Sequence, residues 1–199
     1  MDKDLIQKTI TCYHYTNLEA YNSMSKKGIE GYITNFDDFS GLIPSKRFVN
    51  VNWSHKNLPD EAYEEVIEGL LEPEPSSWTK NKEFPTLWYY LMHDICKRKE
   101  VMLLSFELNP KDKAYIVERG HIEKELYKKA KGLEEPTRET ISTAAKRYFE
   151  SRIPVFDYKG EYSVPQLAIW SPIEFKRLKI EWIKFTKRFW KKVLKNSPG

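Results

Sequence analysis

The chain has 199 residues, 40% of them apolar, and 33 Lys+Arg against 29 Asp+Glu give a formal charge of +4. Ten Phe, twelve Tyr and six Trp supply the large side chains of a core, which excludes a disordered chain; no apolar run reaches the length of a transmembrane helix. Cys12 and Cys96 are too few for a disulfide framework or a zinc-ligand set, and they read as reduced thiols.

Residues 1–7 lack the apolar core of a signal peptide, so a cytoplasmic protein is expected. Residues 10–16, rich in Thr, Tyr and Ile, read as a first strand. Asn17 caps a short helix with Leu18, Tyr21 and Met24 on one side, and Gly28 stands where a left-handed exit residue belongs. Residues 31–44 read as a loop and 48–53 as a second strand. The spacing of Tyr63, Val66, Ile67, Leu70 and Leu71 predicts a helix opening at Pro59-Asp60. A Pro- and Ser-bearing loop follows over 72–85, then a helix carrying Leu87, Leu91 and Ile95.

The near-continuous apolar run 101–108 predicts a central strand. Residues 114–117 read as a short strand, 122–131 as a polar helix, and Pro136-Thr137 opens a helix with Ile141, Ala144, Ala145 and Tyr148 inward. Strands are expected at 163–169 and 175–182, with helical spacing returning from Ile183 to Leu194. Strands that do not alternate regularly with helices predict a mixed α+β fold. The chain divides into an α+β domain over 1–182 and a basic amphipathic helix over 183–199.

Glycine-rich phosphate loops, HExxH, paired CxxC and the Gly-x-Ser-x-Gly elbow are absent. Among the four histidines, His14 is the informative one: it ends a strand within Tyr13-His14-Tyr15-Thr16, immediately before the Asn17 cap. Its ring and the Thr16 hydroxyl suit ribose hydroxyls or backbone groups at a sheet edge, and a buried, hydrogen-bonded strand histidine is the competing reading. Glu161 follows Gly160 at the head of a β-rich run, Gly160-Glu161-Tyr162-Ser163-Val164-Pro165-Gln166. A carboxylate there suits a developing cationic centre or the activation of a hydroxyl, against the alternative of a solvated loop glutamate.

The opening Tyr13-His14-Tyr15-Thr16-Asn17-Leu18-Glu19-Ala20, with the Lys26-Lys27-Gly28-Ile29 exit, resembles that of bacterial ADP-ribosyltransferase-like domains. Residues 48–54 are similar to the second core strand of that family, and 160–165 with 169–172 to the strand bearing its glutamate. The resemblance implies a split, bent β-core with peripheral helices, holding NAD⁺ as substrate in a cleft and using no metal. It implies that His14 holds the adenine-side ribose with Thr16 supporting the strand end, while Trp53 and Ser54 line the nicotinamide side. Tyr32 and Trp53 are both candidates to stack on nicotinamide, and Ser45 and Arg47 to touch the pyrophosphate. Glu161 would be catalytic, binding the nicotinamide ribose and stabilising the oxocarbenium-like transition state.

Arginine-modifying members carry an acidic or amide residue two positions before that glutamate; Lys159 stands there, which argues against an arginine acceptor. The expectation is a mono-ADP-ribosyltransferase-like protein acting on a nucleic acid or a non-arginine protein target, as a toxin, effector or phage-conflict factor. The alternative is a non-catalytic NAD⁺, ADP-ribose or nucleotide-binding module acting as a sensor. A third reading, similarity to the RNA 2′-phosphotransferases, rests on Lys46, Arg47 and Arg152. In the last segment Phe185, Phe189 and Trp190 interleave with Lys184, Lys187, Arg188, Lys191 and Lys192. That pattern fits a helix packed on the sheet, a nucleic-acid surface, or contact with an anionic membrane or acidic partner.

Overall fold

The β-branched, aromatic-rich stretch 10–16 pairs with the apolar stretch 101–108 in the middle of the chain. The computed structural model describes residues 9–25, 27–30, 32–33, 64–85, 87–96, 100–130, 132 and 137–184. Strand β1 (Ile10–Thr16) leads into helix α1 (Leu18–Met24), whose Asn17 cap accepts the Ala20 amide at 2.9 Å. Strands β2 (Tyr32–Ile33) and β3 (Glu65–Gly69) follow, then a single helical turn, α2 (Ser76–Thr79), and helix α3 (Leu87–Cys96). Strands β4 (Val101–Leu108) and β5 (Ala114–Glu118), helices α4 (Gly120–Ala130) and α5 (Arg138–Glu150), and strands β6 (Ile153–Pro154), β7 (Pro165–Ile169) and β8 (Lys179–Lys184) complete the order.

The strands form two antiparallel sheets, one in the order β1-β4-β8 and one in the order β2-β3-β7-β5-β6. This is the α+β class that the order of elements predicts. The apolar run of β4 lies between β1 and β8, pairing Ile10 with Leu108 at one end and Val101 with Lys184 at the other. Its consecutive residues are buried on both faces, as expected of a central strand. Thr137 caps α5 as its sequence suggests, Ala144 is buried, and Ala145, Tyr148 and Phe149 cluster with Val117 of β5 and Ala168 of β7.

Several stretches differ from the sequence reading, among them Tyr32–Ile33, which lies within 31–44, read as loop, and is β2. Glu65–Gly69 is not helical: it is β3, paired with β2 on one side and β7 on the other. Val66 and Ile67 are adjacent and both buried, which a strand covered on two faces allows and an amphipathic surface helix does not. Inside the stretch read as loop, α2 buries Trp78, whose indole Nε1 donates to Pro165 O at 2.8 Å. At the far end, Phe175–Arg177 is a 3-10 turn, and β8 begins at Lys179 and runs past residue 182 to Lys184. The strand expected at 48–53, the helix start at Pro59 and the basic segment from 185 lie outside the described residues.

The core is continuous with both sheets. Tyr15, Leu70, Trp78, Trp88 and Met92 pack where β1 meets α2 and α3, and Cys12, Ile29, Ile67, Phe106, Leu167 and Ile173 pack on the other side of β1. Among the described residues, no helix is long and apolar enough to cross a membrane.

Candidate functional site

Among the described residues, the two sheets are bridged at one residue pair. Tyr13 and Leu70 exchange both backbone hydrogen bonds at 2.9 Å, and beyond that bridge β1 continues along β4 rather than β3. Gly69 makes the approach possible, since a Cβ there would sit 3.0 Å from Tyr13 O. Where the strands part, the His14 ring spans the gap, with Nδ1 2.8 Å from Glu68 O.

A carbonyl oxygen only accepts, so Nδ1 carries the ring proton and Nε2 of the neutral ring is left as an acceptor. Burial keeps the ring neutral by lowering the His14 pKa from its ordinary 6.5, against the smaller raising effects of the Glu68 carbonyl and carboxylate. A cleft of about 290 Å³ opens here, lined by His14, Thr16, Glu68, Trp78, Leu91 and Gln166 among others. That is the lower end of ligand-pocket volumes and suits a nucleoside-sized group.

From β7, Gln166 reaches the lining of the cleft. Gln166 is buried, and its backbone pairs with Val117 of β5. Tyr148 of α5 donates its hydroxyl to Gln166 Oε1 at 3.2 Å, and burial raises the Tyr148 pKa so that the proton stays on. Beside it, Arg119 Nε donates to Glu123 Oε1 at 2.6 Å and Nη1 lies 3.6 Å from Glu68 Oε2. The guanidinium also stacks 5.4 Å from the centre of the Trp78 ring. Burial works against the Arg119 charge, but the carboxylates of Glu123 and Glu68 outweigh it and raise the Arg119 pKa. Glu68 is therefore held from two sides: its carbonyl by His14 and its carboxylate by Arg119.

The expected site residues separate. His14 and Thr16 line the cleft together. Glu161 does not line it: the residue is exposed, and its carboxylate accepts the Lys159 amide at 3.0 Å across the turn at Gly160. The buried carboxylate at the entry to β7 is Glu118 instead, whose oxygens accept the amides of Gly120, Ser163 and Val164 at 2.7, 2.7 and 3.0 Å. Tyr32 pairs with Val66 through its backbone, and its side chain is outside the description. Ser45, Lys46, Arg47, Trp53 and Ser54 also lie outside the described residues. Arg152 stands over the Tyr115 ring, 6.0 Å from its centre, and is not among the residues lining the cleft. No group of three or more His, Cys, Asp or Glu placed to hold a metal ion occurs among the described residues.

Sequence reading missed Gln166, Glu68, Trp78, Arg119 and Tyr148. Only Gln166 carries a local signal, a lone amide in the otherwise apolar stretch Val164 to Ile169. Comparison of the chain with protein-family models, with curated proteins and with solved structures finds no match.

Proposed function

We propose that the chain is an ADP-ribosyltransferase-like protein that binds NAD⁺ in the cleft where β1 parts from β3. The observation carrying this reading is the tautomer of His14, set by Glu68 O, which leaves Nε2 of a residue lining the cleft as an acceptor for a hydroxyl. A ribose hydroxyl is such a donor. Two antiparallel sheets bridged at one pair among the described residues, with the cleft at their junction, are in keeping with the split β-core that the resemblance implies.

In transfer, the bond between ribose C1′ and the nicotinamide nitrogen breaks and nicotinamide leaves with the electron pair. A lone pair on the acceptor then bonds to C1′, and the acceptor's proton is released. The proposed acceptor is a nucleic acid or a protein side chain other than arginine, met in the cytoplasm, and the basic segment 183–199 is the proposed contact for an anionic partner. Glu161 would stabilise the positive charge at C1′ from its exposed turn.

A second reading, binding without turnover, is favoured by a specific observation: the Glu161 carboxylate is engaged with the Lys159 amide away from the cleft, whose lining offers the uncharged amide of Gln166. NAD⁺ binding by calorimetry and NAD⁺ consumption, with nucleic acid and lysate protein offered as separate acceptors, distinguish the readings. His14→Ala, checked for folding by circular dichroism, is expected to weaken NAD⁺ binding about 10- to 100-fold, the worth of one well-placed hydrogen bond in a desolvated site. If wild type consumes NAD⁺ and Glu161→Gln does not, transfer through Glu161 stands. Binding without consumption leaves the module, and no binding by wild type ends both readings.

A further inference from the structure

The polarity of Gln166 is set by its neighbour. The Tyr148 hydroxyl is buried, and Gln166 Oε1 accepts its proton. A buried hydroxyl proton needs an acceptor, so the amide oxygen turns toward Tyr148 and the amino group turns away from it. No hydrogen bond uses Gln166 Nε2 among the described residues, and the side chain lines the cleft.

The backbone that carries Gln166 is fixed on several sides. Its strand partner is Val117, Trp78 Nε1 holds the carbonyl of Pro165 at 2.8 Å, and the Glu118 carboxylate and Arg119 amide hold Val164, at 3.0 Å each. These contacts fix where the side chain starts, and the Tyr148 hydroxyl sets which way its amide faces. His14, which also lines the cleft, keeps Nε2 as the acceptor of its neutral ring, so the two groups have opposite roles.

We propose that Gln166, oriented by Tyr148, is a specificity-determining donor of the cleft, selecting a ligand that presents a neutral oxygen, carbonyl or hydroxyl, to its amino group while another ligand hydroxyl or N–H donates to His14. The NAD⁺ reading of the cleft supplies two sources of that oxygen, the nicotinamide carboxamide and a ribose hydroxyl. An exocyclic amino group at the same place would face Gln166 donor to donor and be rejected, because burying two unpaired donors costs more than one hydrogen bond returns.

The test uses the full chain labelled with ¹⁵N, following the Gln166 side-chain amide signals, assigned by their loss in Gln166→Met, during separate titrations with NAD⁺, ADP-ribose, nicotinamide and ribose. NAD⁺ is expected to shift those signals; nicotinamide alone or ribose alone reveals which oxygen is read. Gln166→Met should weaken NAD⁺ binding about ten-fold, the worth of one hydrogen bond. Tyr148→Phe keeps the donor but frees it to turn and should cost about two- to three-fold. The double variant Tyr148→Phe/Gln166→Met strands no hydroxyl and gives the same ten-fold loss in a chain that keeps its packing.

This inference rests on the NAD⁺ reading, and the two fail differently. NAD⁺ binding with unmoved Gln166 signals and undiminished affinity in both Met variants overturns the donor and leaves the reading intact. Failure of NAD⁺ to bind, with nicotinamide or ribose still moving Gln166, overturns the reading and keeps the donor. No response to any of the four probes overturns both.

Discussion

Glu118 accepts three backbone amides and the Ser163 hydroxyl from two directions, tying the end of β5 to the start of α4 and to the segment that enters β7. Replacing it with Ala removes the acceptor and leaves those amides to find water or go unpaired, at about 1–3 kcal/mol for each buried donor. Glu118→Ala is expected to lose roughly 3 kcal/mol or more in urea unfolding, and Glu118→Gln, which keeps one acceptor oxygen, about half as much. Equal stability of wild type and Glu118→Ala would show that the carboxylate contributes no net support. His14 gives the pH dependence. Its pKa is lowered by burial, so on acidification the unfolded chain binds a proton near pH 6.5 while the folded ring does not. Stability is then complete above pH 6.5 and declines as pH falls below it, with a slope of at most about 1.4 kcal/mol per pH unit from this group. The difference between wild type and His14→Asn, measured by urea unfolding from pH 7.5 to 5, isolates this histidine from the other three; parallel curves would remove it as the source.

At the scale of elements, the turn after α1 is set by one glycine. Gly28 has φ of +85°, and a Cβ there would stand 2.1 Å from the carbonyl oxygen of Ile173, the same oxygen that accepts the Ile29 amide at 2.9 Å. Gly28→Ala therefore combines left-handed strain with a backbone clash that no rotamer relieves, and is expected to cost more than about 2 kcal/mol in thermal or urea unfolding. An unchanged midpoint would mean that the Ile29–Ile173 bridge contributes little. Gly28, the Asn17 cap and the Thr137 cap were all legible in the sequence, because capping is local chemistry. The reading of 65–69 failed because its apolar spacing satisfies a helix, while β2 and β7, remote in sequence, decide that it is a strand. Similarly, Trp78 stood in a Pro- and Ser-bearing stretch that looked like loop; its burial, its hydrogen bond to Pro165 and the Arg119 guanidinium over its ring all depend on residues remote in sequence.

At the scale of the molecule, the α+β class followed from the order of elements, and His14 could be singled out because an imidazole before a helix cap is unusual in an aromatic strand. Glu68 and Gln166 in the lining, and Arg119 and Tyr148 behind them, could not be read this way. Glu68, Arg119, Tyr148 and Gln166 come from β3, the β5–α4 junction, α5 and β7, and their roles arise from pairings that no local window contains. Glu161 was attractive for its isolation after a glycine, and that same isolation gives it a solvent-facing turn whose carboxylate serves its own backbone.

The Tyr13–Leu70 bridge between the sheets has a consequence for how the cleft comes into being. β1, near the beginning of the chain, supplies His14 and Thr16 to the cleft, β3 supplies Glu68, and β7, close to the end of the described residues, supplies Gln166. Each of those strands closes a long excursion of the chain, an arrangement that makes assembly slow and late because loop-closure entropy is lost before the pairing returns it. A growing or truncated chain that stops short of Pro165 can already carry His14, Thr16 and Glu68, yet it has no β7 and no Gln166. The cleft is therefore complete only once the last strand of the larger sheet, in chain order, has paired.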